Sequence, residues 1–566
     1  MRFRTPIGIS DFRSLREQGA AYVDKTHFVA EILADPAVAL LLPRPRRFGK
    51  TLNLSTLRCF VEKTNWDASP LFADLAIWQD PDARRHFQRH PVIFLTFKDT
   101  KQSSWAACLS DIADLLAREY LRHGLLDDER LGEHDRRAIE RVVRREASPV
   151  ELQKSLRDLS EILAHRHGEK VVLLVDEYDT PIHASYTNGY YDEAVSFFRN
   201  FLSAGYKDNP HLFKGVLTGI LRIARESLFS GLNNLAVHSI LSRRYATAFG
   251  FTEAEVVAIA AAEGLSDRMD ELARSYNGYL FGDQVIYNPW SIVNYFAAPE
   301  NGFRPYWVAT GSDDIVRGLL LGGGPGLRAD LEALLRGEEI EKPVDENVVL
   351  RDLAQRPDAL FSFLLFSGYL KATETVLDES GITRCRLAIP NREVRTTYET
   401  VFRSWLERTL GGDDRVQALS RALLLGHAEE FERLLEDMIV NALSYHDLGG
   451  GTPERVYQAF IVGLLVHLAP QYEVRSNRES GFGRYDIAVT PREPGKPGAI
   501  LELKVLDERR QETIEQALAS ALSQLARKDY AAELRARGAD PIHEFAAVFD
   551  GKRAWVRRRD DKGDVD

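Results

Sequence analysis

The chain has 566 residues, 44% hydrophobic and 28% charged, with 73 Lys and Arg against 84 Asp and Glu for a formal net charge of −11. This is the composition of a globular protein with core enough for three or four domains, and it excludes a globally basic nucleic-acid coat while leaving room for a local basic cleft. Cys59, Cys108 and Cys385 are too few and too scattered for a disulfide framework or a cysteine metal site, and no stretch reaches the ~20 apolar residues of a membrane span. The first residues lack the apolar core of a secretory signal, so a cytoplasmic location is expected.

In chain order, Pro6 to Phe12 (PIGISDF) opens the sequence, with Ser10 placed to cap a helix beginning near Phe12. Tyr22-Val23-Asp24-Lys25-Thr26 leads into an amphipathic helix through Phe28, Val29, Ile32 and Leu33. Residues 38–54 (VALLLPRPRRFGKTLNL) then read as a buried strand, a loop and a helix start. That layout is a nucleoside-triphosphate phosphate loop, in which helix-terminal N–H groups face the phosphates. Lys50 would reach the β/γ oxygens and Thr51 would ligate Mg²⁺. The general pattern G-x-x-x-x-G-K-[ST] wants glycine five positions before Gly49, and Arg44 stands there, so the loop is expected to wrap differently, with arginine help.

Residues 91–97 form another apolar run, and helices are expected over 103–124 and 136–165. Residues 170–181 (KVVLLVDEYDTP) are a continuous apolar strand ending in Asp176 and Glu177. One carboxylate there would hold Mg²⁺ and the next would polarise the attacking water. Repeated strand–helix alternation predicts a parallel sheet with helices on both faces. The strand at 215–220 ends in Thr218, a candidate γ-phosphate sensor, followed by Arg222 and Arg225 as candidate charge stabilisers. His183 has no second histidine or cysteine at ligand spacing and is expected at the surface; no zinc ligand set is visible.

From Thr252 the chain reads as strongly helical, starting with a capping box of Thr252 and Glu255. Ser275 to Tyr279 and Tyr287 to Trp290 are aromatic turns whose first role is packing. Residues 448–453 (LGGGTP) are the best linker, and after them comes an apolar helix from Glu454. A hairpin follows, RYDIAVT (484–490) and AILELKV (499–505), then a helix over 513–526. Alternation puts Leu501, Leu503 and Val505 on a core face and Glu502 and Lys504 on the other, with Asp486 on the partner strand. Two carboxylates and a lysine on adjacent strands can hold a divalent metal and stabilise charge on an attacked phosphodiester.

With these motifs in view the chain resembles a bacterial family joining an AAA-ATPase-like domain to a C-terminal PD-(D/E)XK nuclease-superfamily domain. The resemblance is carried by PIGISDF, by Tyr22 to Thr26, and by Arg44-Pro45-Arg46-Arg47-Phe48-Gly49-Lys50-Thr51. Asp176 to Asp179, Phe229 to Asn234, Tyr287 to Trp290 and Ile389 to Val394 add to it, as do Ser476 to Gly481, Gly483 to Asp486 and Glu502-Leu503-Lys504. It implies an arginine-rich phosphate loop in which Arg46, Arg47, Gly49, Lys50, Thr51 and Asp176 bind ATP, with Glu177 catalytic. It also implies Asp486, Glu502 and Lys504 as the nuclease triad, Glu454 as a supporting acid and Gln524 as an accessory. Thr51, Asp176, Glu454, Asp486 and Glu502 would face Mg²⁺ or Mn²⁺. The expected domains are an AAA-ATPase-like phosphate-loop domain (1–247), a helical middle region (248–447), an α/β nuclease-like domain (448–550) and a charged tail (551–566). Expected partners are a nucleotide, DNA or RNA, and further copies of the chain, with no membrane. The rival reading is a nucleotide-sensing regulator or scaffold in which one or both sites bind without turnover.

Overall fold

The computed structural model describes residues 5–221, 234–308, 314–321, 325–347, 350–353, 356–410, 413–442, 454–465, 468, 471–480, 483–506, 512–528 and 530–560. The chain divides into two compact units, Met1–Asp313 with Glu339–Arg395, and Asp314–Glu338 with Thr396–Asp566. The expected middle region, 248–447, is therefore shared between the two units rather than forming one of its own.

The first unit is built on five parallel strands: β1 (Ala39–Pro43), β2 (Val92–Thr96), β3 (Val171–Asp176), β4 (Leu212–Gly219) and β5 (Leu235–Val237), in the order β2-β3-β4-β1-β5. Every residue of β1 and β3 is buried. Because successive strand side chains point to opposite faces, complete burial requires cover on both sides. Helix Lys50–Val61 packs on β2 and β3, and helices Pro149–His167 and Tyr191–Tyr206 pack together and against β3 and β4. Val38, read as part of the buried strand, lies outside β1 and is exposed.

Local chemistry accounts for several boundaries. Asp11, not Ser10, caps the first helix, Phe12–Glu17, by accepting from the Ser14 amide. The helix expected over 136–165 is two, Glu133–Val143 and Pro149–His167, because Ser148 and Glu151 form a capping box and Pro149 takes the first helical position. The Thr252–Glu255 capping box forms as read. Beyond it the chain is less helical than its sequence suggested. Strands β6 (Phe251–Thr252), β7 (Tyr279–Phe281) and β8 (Gln284–Tyr287) make one small antiparallel sheet; β9 (Ile340–Pro343), β10 (Lys371–Leu377) and β11 (Thr383–Ala388) make another. Strands β6 to β9, of two to four residues, are too short to carry a readable two-residue period.

The second unit holds a mixed sheet of β12 (Tyr472–Ser480), β13 (Gly483–Pro491), β14 (Gly498–Val505), β15 (Ile542–Asp550) and β16 (Arg553–Arg558), in sequential order. Only β14 and β15 pair in parallel, and the crossover between them carries helices Ile514–Lys528 and Ala531–Ala536. The segment read as a charged tail supplies β16, whose Ala554 and Val556 are buried. The linker at 448–453 lies outside the described residues.

Candidate functional sites

Strand order explains the first site. β4 runs between β1 and β3, so the loop after β1 and the acids ending β3 flank the end of β4. Thr51 Oγ1 donates to Asp176 Oδ2 at 2.7 Å, and Thr218 Oγ1 donates to Asp176 Oδ1 at 2.7 Å. Asp176 is fully buried; burial, then the neighbouring Glu177 charge, pushes its carboxyl above the usual range, against the two threonine hydrogen bonds. Thr218 is fully buried too, so it orients Asp176 rather than presenting its hydroxyl to a ligand. Arg222 and Arg225 lie outside the described residues.

Gly49 adopts φ 84° and ψ 16° immediately before helix Lys50–Val61, a left-handed turn that glycine makes without strain. Lys50 Nζ reaches back to the carbonyls of Arg44 (3.2 Å) and Pro45 (3.1 Å) and lies 3.3 Å from Glu177 Oε1, with its side chain only 2% exposed. Glu177 has φ 53°, unusual for a residue with a Cβ, and strain of this kind concentrates at working sites. Beyond it, Asp179 is buried. Burial alone would raise its carboxyl, but His183 and the Ile220 and Leu221 amides hold it below the ordinary value. A Cβ on Gly219 would stand 2.6 Å from Asp179 Oδ1, so only glycine fits there. His183 is buried against this carboxylate, not on the surface as expected.

Arg44 does not assist the loop from the ligand side. It is fully buried, donates to the carbonyls of Pro43 (2.7 Å), His238 (2.7 Å) and Tyr245 (3.2 Å), and lies over the rings of Phe249 and Phe281. Burial lowers its pKa to about 9, which leaves it charged at neutral pH. Arg44→Gly would complete the general phosphate-loop pattern, yet it should destabilise the protein by about 3–5 kcal/mol by orphaning those carbonyls. Thermal melts with ATP titration test this; the expected result is a lower Tm and no gain in affinity.

The loop borders a cavity of about 320 Å³. Arg46, Arg47, Gly49, Lys50, Thr51 and Glu177 are among its lining residues. Ile7, Gly8 and Ile9 from the N-terminal segment line it too, with Val23, Trp290 and Val293. The PIGISDF segment thus has a place in the site that its sequence gave no chemistry to reveal. Lys98 and Lys101, after β2, also reach the cavity and went unnoticed because isolated lysines carry no pattern. Arg47 stacks on Trp290 at 4.2 Å, and the Arg46 carbonyl accepts from Trp307 Nε1 at 3.0 Å.

Trp307 is tied in turn to Glu393. That carboxylate accepts from the Trp307 amide (2.5 Å) and from Ser291 Oγ (2.8 Å) and is 3% exposed. Burial pushes its pKa up to about 7 from 4.5. The folded state therefore holds a proton that the unfolded state releases between about pH 4.5 and 7. Stability falls as pH rises through that window, by about 3 kcal/mol in all. Glu393→Gln should remove this loss, raising Tm at pH 8 while leaving it nearly unchanged at pH 4.5. A melt series across that range checks it.

The second site lies on β13 and β14. Their register, Ile487↔Leu501, extended by one residue sets Asp486 opposite Glu502. Asp486 Oδ2 accepts from the Leu503 amide at 2.8 Å, and its carbonyl accepts from Gln458 Nε2 at 2.8 Å. Glu502 is 3% exposed, which sets it apart from an ordinary solvated Glu/Lys strand face. Helix Ile514–Lys528 provides the cover: Gln524 Nε2 donates to Glu502 Oε1 and lies 3.4 Å from the Tyr530 hydroxyl, while Ser520 Oγ accepts from Lys504 Nζ at 2.6 Å. Gln524 and Tyr530 thus meet despite their six-residue spacing. Leu501 and Leu503 are buried as expected, whereas Val505 is only half-buried. Glu454 opens helix Glu454–Leu465, and its side chain lies outside what is described.

The donors suit hard divalent ions in both places: a hydroxyl and carboxylates in the first, the carboxylates of Asp486 and Glu502 in the second. A phosphate loop facing an acidic strand end on a parallel sheet, followed by a sheet bearing Asp and Glu-x-Lys, defines a two-domain phosphate-handling class. Residues 6–229 match the family model described as predicted AAA-ATPase, and residues 452–559 match that of the PD-(D/E)XK nuclease superfamily. The chain thus joins a region matching the predicted AAA-ATPase family to a C-terminal region matching the PD-(D/E)XK nuclease superfamily. A relative from Azotobacter chroococcum mcd 1, described as an uncharacterized protein in the vnfD 5′ region, is 29% identical over 97% of this chain and 96% of its own length. The Aeropyrum pernix ORC2 protein, solved as ADPNP–ADP complexes, aligns at 11% identity over 70% of this chain and 96% of its own, with a TM-score of 0.22, too low to carry weight. No helix among the described residues is long and apolar enough to cross a membrane.

Proposed function

We propose that the protein binds and hydrolyses ATP at the first site and cuts a phosphodiester of DNA or RNA at the second, with hydrolysis gating cleavage, in nucleic-acid processing or defence. The observation that carries the reading is the buried line Thr51–Asp176–Thr218 beside the Lys50–Glu177 pair, at the edge of a cavity about 320 Å³ in volume. Lys50, Arg46 and Arg47 would bind phosphates, with the amides at the start of helix Lys50–Val61 beside them. Glu177 would take the proton of the attacking water. Thr51 and Asp176 would hold Mg²⁺, which neutralises phosphate charge. In the second unit Asp486 and Glu502, with Glu454, would hold Mg²⁺ or Mn²⁺, and Lys504 would stabilise charge on the attacked phosphate.

The test uses full-length protein with plasmid DNA or RNA, Mg²⁺ or Mn²⁺, and ATP, ADP or no nucleotide. Cleavage that depends on divalent ion and increases with ATP supports the reading. Nucleotide binding without cleavage of any substrate would favour a sensor or scaffold instead.

A further inference from the structure

Glu161, His165 and His211 bring one carboxylate oxygen and two imidazole nitrogens within 4.8 Å of one another. Glu161 and His165 are four residues apart on helix Pro149–His167 and share one of its faces. His211 comes from the turn before β4, far from them in sequence, which is why no ligand spacing announced the group. Its backbone is fixed. The His211 amide donates to Asn209 Oδ1 at 3.1 Å, Asn209 Nδ2 donates to the Gly205 carbonyl at 2.9 Å, and the His211 carbonyl accepts from Val171 at 2.8 Å. The His165 and His211 rings meet edge to face at 5.3 Å. Among the described residues none of the three side chains has another hydrogen-bond or ion-pair partner, which leaves their donor atoms available to an ion.

The cluster lies where β3 and β4 begin, whereas the nucleotide cavity lies where they end, about 20 Å away along the six residues of β3. It therefore belongs to neither phosphate site. Two imidazoles and one carboxylate suit Zn²⁺, Co²⁺ or Ni²⁺, unlike the all-oxygen donor sets of those sites. Tetrahedral ligands around zinc stand roughly 3.3–3.5 Å apart, a contraction that Glu161 and His165, both exposed, can make by rotamer adjustment.

We propose that Glu161, His165 and His211 bind one divalent transition ion, with water as the fourth ligand, clipping the end of helix Pro149–His167 to the start of β4. The test is titration of the full chain with Co²⁺, followed by visible absorption, and with Zn²⁺, followed by calorimetry and thermal melting. Wild type should show the intense visible bands of a low-symmetry nitrogen-containing site, one Zn²⁺ per chain at this site, and a Tm raised by Zn²⁺. His211→Ala and the exposed-site variant His165→Ala should lose the bands and bind Zn²⁺ about 100-fold more weakly, while keeping the metal-free wild-type Tm. Thr51→Ala and Glu502→Gln should keep the bands, since oxygen-only sites give weak octahedral spectra. Bands absent from wild type, or Zn²⁺ affinity unchanged in the double variant His165→Ala/His211→Ala, would overturn the assignment.

Discussion

Glu177→Gln is expected to bind ATP with nearly wild-type affinity and to hydrolyse it about 100- to 10,000-fold more slowly, the range a positioned general base contributes. The substitution keeps the side chain's size and removes only its proton-accepting charge. It also removes the partner that lies 3.3 Å from Lys50, freeing that ammonium for phosphate, so binding should not weaken. Lys50→Ala acts on the other parameter. It deletes a charged donor from a nearly closed position and should weaken ATP binding about 10- to 100-fold. Calorimetry separates the two variants from phosphate-release kinetics. Hydrolysis by Glu177→Gln within twofold of wild type would remove this carboxylate from the mechanism.

In the second unit, Glu502→Gln should reduce phosphodiester cleavage about 1000-fold, the effect of losing several kcal/mol of metal-assisted charge stabilisation. ATP hydrolysis should stay within twofold, because Glu502 belongs to a different compact unit from Lys50 and Glu177. The isosteric amide preserves packing at a 3% exposed position and retains a partner for Gln524. Thermal melting alongside the assay shows that folding is intact. Lys504→Met should give a comparable loss, whereas Gln524→Ala, which removes only a group orienting Glu502, should cost less and act on rate more than on substrate affinity. Cleavage that survives both Glu502→Gln and Lys504→Met would assign any observed activity elsewhere.

Much of the architecture was readable in the chain because it rests on local patterns. The apolar runs of β1 and β3, the Gly-Lys-Thr helix start, the Thr252 capping chemistry and the Asp486/Glu-x-Lys hairpin each depend on residues close together in sequence. Local pattern misled where competing geometry won. Arg44 occupies the place of a loop glycine, and no local pattern foretold that its guanidinium would turn to three carbonyls, two of them about two hundred residues away. His183 looked superficial because no ligand partner was adjacent, but it is buried with its Nε2 3.5 Å from Asp179 Oδ2.

What the sequence by itself determined is the inventory: two sets of candidate phosphate-handling residues, each on a strand end or hairpin whose period is set by its own neighbours. Only the tertiary structure decided what those residues face. The insertion of β4 between β1 and β3 brings Thr218 to Asp176, alongside Thr51 from the helix after β1 and Thr96 from β2. Folding of residues 6–9 against the loop makes them part of the cavity lining, and placement of Gln524 over β14 covers Glu502. These contacts join residues from tens to more than two hundred positions apart. Strand order and helix placement are settled by burial summed over the whole unit, which no short stretch of chain encodes.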